Sequence, residues 1–215
     1  SAGAAEFTGM QLGIYGQDEF QASDKLKLTL GLRVDIPVFN DNTLENSAFN
    51  STTVGLIEAE GYDLKGAKTG EFIGASVLFA PRFGFNYDVT GDRSTQLRGG
   101  AGIFNSRIPL VWPVGAYNNN GLTVGGDRSF DVPFNPNWDE QPRNVAPGQG
   151  SPSGQIDLFA SNFKLPQVFK VNVGVDQKLP WGMVGSFEAL FSKFLNNVFY
   201  ENLAIKPSTT RLTGT

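Results

Sequence analysis

The side chains best equipped for chemistry in this chain are rings, amides and cations rather than nucleophiles. Between Ser106 and Phe163 stand Trp112, Tyr117, Phe130, Phe134 and Trp138 among Asn118-Asn119-Asn120, Asp127, Asp131, Asp139 and Glu140. Aromatic faces stack on sugars, peptides or chelates, and nearby amides and carboxylates hydrogen-bond them. The same rings suit a long loop folded on itself around a small private core. Loops of this length are functional or disordered, and the tract Val132-Pro133-Phe134-Asn135-Pro136 argues against a flexible coil. A second set is cationic: Lys27, Arg33, Arg82, Arg98 and Lys170 each occupy a polar position of an alternating run. Catalysis is not expected. The 215 residues include no histidine and no cysteine, which removes the commonest general base, thiol nucleophiles, disulfides and zinc–thiolate sites. No metal and no cofactor is expected. Gly99-Gly100-Ala101-Gly102 has the look of a phosphate loop, but it lies inside a strand pattern with no helix following it.

The elements that must position these groups alternate with period two. From Leu26 the even positions are Leu26, Leu28, Leu30, Leu32 and Val34, and the odd positions are Lys27, Thr29, Gly31, Arg33 and Asp35. One face is aliphatic and the other polar, as a half-buried strand requires. Phe169, Val171, Val173 and Val175 stand in the same way against Lys170, Asn172, Gly174 and Asp176. Six such runs are expected, in three hairpins: Met10 to Phe20 with Leu26 to Val38, Val77 to Asp88 with Thr95 to Phe104, and Val168 to Leu179 with Met183 to Phe194. The phase of the last run breaks at Lys193-Phe194, which predicts a bulge or the strand end. No segment keeps apolar spacing at three and four, so no helix is expected. Short turns join the strands of each hairpin, whereas long polar loops, about 39–76 and 106–163, join the hairpins.

Two architectures fit this alternation. In a soluble sandwich binding module the apolar face meets a second sheet. In a membrane barrel it meets lipid, and the polar face lines the lumen. Strand length favours the barrel: runs of roughly 10 to 13 residues exceed the usual 5 to 6 of soluble sheets and match the 9 to 11 of a tilted spanning strand. Tight turns at one end and long loops at the other are also the habit of outer-membrane barrels. Phe20, Phe39, Tyr87, Phe104, Trp181, Phe199 and Tyr200 lie near strand ends, as interface girdles do. No apolar run reaches a spanning helix, which leaves a barrel open. The net charge of −4 argues against nucleic acid as a partner. The fold expected is all-β: an antiparallel up-and-down transmembrane β-barrel segment of about six strands, part of a larger barrel in the bacterial cell outer membrane, with outer-membrane lipid around it.

Certain motifs carry a family resemblance. Tyr15-Gly16-Gln17-Asp18-Glu19-Phe20, followed by Leu28-Thr29-Leu30-Gly31-Leu32-Arg33-Val34-Asp35, resembles a barrel hairpin of TonB-dependent outer-membrane receptors. Ala80-Pro81-Arg82-Phe83-Gly84-Phe85-Asn86-Tyr87-Asp88 and Leu97-Arg98-Gly99-Gly100-Ala101-Gly102-Ile103-Phe104 resemble the next hairpin. The group most similar is that of the large receptors with a carboxypeptidase-like N-terminal domain, typical of Bacteroidetes. The resemblance implies import of a bulky nutrient, a barrel of about 22 strands, a plug domain in its lumen and a TonB-type energy-transducing complex as partner. Plug and TonB box are not recognised in these residues, so an internal barrel piece is expected. On that reading Lys27, Arg33, Arg82, Arg98 and Lys170 face the lumen or grip the plug. The other role expected is a scaffold whose long loops bind surface lipoproteins or other protein partners.

Overall fold

The computed structural model describes residues 6–39, 43–107, 109–123, 125–126, 135–137, 140, 151–152 and 154–203. In chain order the strands are β1 (Gly9–Ser23), β2 (Leu26–Phe39), β3 (Leu78–Asp88), β4 (Thr95–Asn105), β5 (Gly125–Gly126), β6 (Ser151–Pro152), β7 (Gln167–Lys178) and β8 (Val184–Asn196). Six of them form one antiparallel sheet in the order β1-β2-β3-β4-β7-β8, and β5 pairs with β6 separately. The sheet is open: β1 and β8 are its two edges. The three expected hairpins are present with bounds shifted by only a few residues.

Register converts the alternation into two faces, because partners in neighbouring strands share a side of the sheet. Asp18, Leu30, Phe83, Ala101, Val171 and Phe191 form one row. Gln17, Gly31, Arg82, Gly102, Lys170 and Ser192 form the next, on the opposite face. The first face is apolar and exposed, with Ile14 at 75% and Phe187 at 71%. A soluble sheet would bury these side chains, whereas a barrel turns them to lipid. The 14 residues of β2, rising about 3.3 Å each at a tilt near 40°, climb roughly 35 Å. That clears the roughly 25 Å apolar band of an outer-membrane barrel and leaves length for its interfaces.

Glycine lets the polar rows pack closely. A Cβ on Gly100 would stand 2.8 Å from the Phe83 carbonyl oxygen, so a side chain there would separate β3 from β4. The glycines of Gly99-Gly100-Ala101-Gly102 therefore serve strand packing, not a phosphate. The bulge expected near Lys193 is present. Val168 pairs with Phe194 and Gln167 with Asn196, which leaves Leu195 as the extra residue.

Two of the turns carry left-handed backbone, at glycine and at one larger residue each. In the β3–β4 turn the Asp88 carboxylate accepts from the amides of Gly91 (2.8 Å) and Arg93 (3.0 Å), whose φ values are +86° and +60°. Thr90 and Ser94 hydrogen-bond Asp92 and hold its carboxyl well below the usual carboxylate range. That contribution is complete above the ordinary carboxylate pKa and is lost only as pH falls through the depressed one. In the β7–β8 turn Trp181 and Gly182 follow one another at positive φ. Trp181 is 91% exposed, a placement that suits an indole anchored at the membrane interface.

Two expectations are corrected. Short helices occur in the loops: α1 (Val54–Ala59), which follows a π-helical turn over Phe49–Thr53, and α2 (Val111–Asn118). Both are shorter than the window in which apolar periodicity becomes visible. The aromatic girdle fails at two positions of the loop end but holds at the turn end. Phe20 and Tyr87 lie on the apolar face there, but register places Phe39 and Phe104 on the polar face.

The face assignment predicts a large asymmetry between neighbours. Leu30→Arg, between the turn-side interface and the midplane, should cost the full-length barrel about 1 to 3 kcal/mol. Thr29→Arg, on the polar face, should cost little. Heat-modifiable gel mobility of the assembled protein distinguishes them, and equal losses would show that the faces are reversed or absent.

Candidate functional site: the lumen wall and its cap

Strand register sets all five cations of the sequence analysis on the polar face. Three are matched within the sheet. Lys27 reaches Glu19 across β1–β2. Arg33 grips Asp35 two residues along the same strand, with Nη2 at 2.7 Å and Nε at 2.9 Å from Oδ1. Arg98 bridges β7 and β8 through Asp176 at 2.9 Å and Glu188 at 3.3 Å. Arg82 and Lys170 have no carboxylate partner among the described residues. Both sit over the ring of Phe104, at 4.8 and 5.7 Å from its centroid, where the quadrupole attracts a cation. Beside them lies a polar hollow of about 430 Å³, lined by Tyr15, Gln17, Arg33, Asp35, Arg82 and Arg107 among others.

A belt of side-chain amides crosses the loop end of the sheet. Pro81 lacks an N–H, and the β3–β4 register stops at Arg82–Gly102. Beyond it side chains serve in place of the ladder. Asn105 Nδ2 donates to the Leu78 carbonyl (3.3 Å) and to Asp35 Oδ2 (3.0 Å). Gln167 Nε2 donates to Asn105 Oδ1 (2.8 Å) and to the Phe79 carbonyl (3.4 Å). Asn196 then donates to Gln167 Oε1 at 3.1 Å, and Gln11 to Asp35 at 3.4 Å. Asp35 is 2% exposed, and Arg33, Asn105 and Gln11 together satisfy its carboxylate oxygens.

The two long loops knit together into one cap. Phe72 touches Phe39 at the end of β2, Tyr117 on α2 and Phe159, and Phe159 touches Phe163. Phe39 lies on the polar face, so this contact seats the cap on the lumen side. Phe7 stacks on Tyr117 with centroids 5.1 Å apart. Polar stitches run alongside. Thr69, 3% exposed, accepts from Asn46 N and donates to Asn50 Oδ1, both at 2.9 Å. Asn46 Nδ2 reaches the Asn120 carbonyl at 3.1 Å, and the Ser161 hydroxyl reaches the Lys65 carbonyl at 2.8 Å. Asp157 accepts from Asn119 at 2.7 Å and from the Tyr200 hydroxyl at 3.1 Å. Its negative charge pushes the Tyr200 phenol upward.

This geometry sorts the loop residues singled out by sequence. Tyr117 belongs to the cap core. Asn120 is 1% exposed and both polar atoms of its side chain are engaged by Tyr117, Leu122 and Thr123. Trp112 stays at the surface of α2, 36% exposed, beside Leu110 and Val111 at 65% and 69%. Phe130, Phe134, Trp138 and Asp139 lie outside the described residues. Sequence reasoning missed Asn105 and Gln167, because an amide at a strand end gives no periodic signal, and it set Phe104 in the girdle instead of on the polar face.

Two consequences can be measured. Asn105→Ala strands the Leu78 carbonyl and part of Asp35, and should cost about 1 to 3 kcal/mol. Asn172→Ala removes only an exposed 3.3 Å contact with Glu188 and should cost under about 0.5 kcal/mol. Urea unfolding of the full-length protein in vesicles checks both. Phe72→Ala should open the cap, so that protease added to intact cells cuts the loops while barrel amount holds. Trp112→Ala should leave cleavage unchanged.

The comparisons with known proteins agree with this architecture. The family model described as "Outer membrane beta barrel domain" matches residues 1–188. No curated protein and no solved structure matches the chain. An exposed apolar face, a charged wall behind it, tight turns at one end and a knit cap at the other are what such a domain must have in the bacterial outer membrane, and the chain belongs to the outer membrane beta barrel domain family.

Proposed function

We propose that this chain is a stretch of barrel wall from a TonB-dependent receptor-like transporter that imports a bulky nutrient, a non-catalytic role. The observation that carries the reading is the pairing of an aqueous polar face with a cap seated over it. A water-filled or plugged lumen needs the ion pairs of Lys27, Arg33 and Arg98. Entry to such a lumen is controlled by its outer loops. The free edges of β1 and β8 support membership of a larger barrel, since unpaired backbone is not tolerated in hydrocarbon. The motifs around Tyr15–Phe20 and Ala80–Asp88 support the receptor group. A plug is the expected counterpart of Arg82 and Lys170, whose charges lack carboxylates in the sheet.

One observation favours the scaffold reading as an alternative. Leu110, Val111 and Trp112 present an apolar tip on the cap, and such patches mark protein contacts. Surface lipoproteins are the partners in view.

Uptake decides between the two. Cells with and without the gene would be given labelled ferric chelates, cobalamin and oligosaccharides, with and without a protonophore. Transport predicts that one of these depends on both the gene and the proton gradient, at constant surface level. Uniform uptake throughout would overturn it. Replacement of Leu110 and Trp112 by Ala would then be expected to abolish lipoprotein co-purification.

A further inference from the structure

One acid breaks the apolar face. Asp18 stands in the row of Leu30 and Phe83, one alternate position inward from the Phe20–Leu28 pair. Its side chain is exposed and has no hydrogen bond or ion pair among the described residues. Its distance above the β1–β2 turn is roughly 10 Å, from four residues of β2 at about 3.3 Å each and a tilt near 40°. That places it in the turn-side half of the bilayer, just inside the interface. A carboxylate facing hydrocarbon is costly, and such residues mark a partner or a function.

Beside Asp18 the outer face is hollowed. Gly16, Pro81 and Ala101 are small, and Leu30, Phe83 and Ile103 rise around them to leave an apolar depression of about 740 Å³. That size lies within the roughly 300 to 1,000 Å³ of small-molecule sites. Register places the depression in the two rows that contain Asp18 and Gly16, so it runs from the carboxylate toward the middle of the membrane. An outward-facing hollow at that depth opens onto lipid. Charge then selects among lipids: a carboxylate repels an anionic headgroup and pairs with an ammonium.

We infer that Asp18 and the depression around Gly16 form a seat for one phospholipid with a primary-amine headgroup. Its ammonium pairs with the Asp18 carboxylate and one acyl chain lies in the hollow. In outer-membrane barrels the short turns face the periplasm, so the lipid belongs to the inner leaflet. The seat rests on the barrel family and not on transport, and stands whether the parent protein imports cargo or holds partners.

The test is native mass spectrometry of the full-length protein released from nanodiscs of equimolar phosphatidylethanolamine and phosphatidylglycerol. The wild type should retain the amine lipid preferentially. Asp18→Asn should lower the ratio of amine lipid to glycerol lipid about two- to five-fold, the range of one exposed ion pair. Gly16→Leu fills the hollow and should reduce retention of both lipids. Heat-modifiable mobility confirms that each variant is assembled. An unchanged ratio in Asp18→Asn would overturn the proposal. So would a photo-crosslinker at position 18 that captures a neighbouring strand or another protein instead of lipid, because Asp18 would then have a protein partner. If Asp18→Asn fails to assemble, the crosslinker variant and Gly16→Leu still decide, by the species captured and by lipid count.

Discussion

In hydrocarbon no backbone N–H or carbonyl can be left unpaired, and this constraint governs the molecule. It requires a continuous ladder, and the sheet supplies one through β1, β2, β3, β4, β7 and β8. Pro81 is the place where the ladder is challenged from within. Its missing donor ends the β3–β4 pairing at Arg82–Gly102. Asn105 and Gln167 carry the hydrogen bonding onward through their side-chain amides. The repair sits toward the loop end of the sheet, where the cap and the lumen bring polar groups within reach. The edges of β1 and β8 are the remaining demand, because the sheet itself leaves them unpaired.

Once the ladder fixes register, electrostatics follows from position alone. Every cation in the six strands except Lys193 falls on the polar face. Lys193 pairs with Phe169 on the other face, three residues from the end of β8 and beside the bulge at Leu195. There a long side chain can reach the interface. Asp18 is too short to do the same, so it needs a partner where it stands. The sheet thus treats two charges on its outer face differently because their reach and depth differ.

Strands were legible in the sequence because period two is a strong signal when one face is purely apolar. Leu26 to Val34 and Phe169 to Val175 show it without exception. Turns were legible through Asp, Gly and Pro, whose backbone preferences are local. The loops were not. α2 contains Pro113 and Gly115 inside eight residues, which removes any helical pattern. Pro113 is tolerated because the amide it lacks lies in the first turn, where helices leave donors unpaired. The polar belt was invisible for a different reason. Gln11, Asp35, Asn105, Gln167 and Asn196 are far apart in sequence and meet only after the register is set.

The aromatic residues show most clearly how one composition serves three environments. Phe20, Tyr87 and Trp181 belong to the turn-side interface. Phe104 lies on the lumen wall beneath two cations. Phe7, Phe39, Phe72, Tyr117, Phe159 and Phe163 hold the cap together. A ring near a strand end is therefore ambiguous until parity is read. Phe39 and Val38 are neighbours, yet Val38 meets lipid while Phe39 meets the cap. That single step of parity makes β2 the hinge between membrane and lid. The cap can be large and polar without leaving the barrel because its core is anchored to a strand end, not suspended from loop ends alone. Rings used for that anchoring are turned inward, which leaves Leu110, Val111 and Trp112 as the exposed apolar side chains at the start of α2.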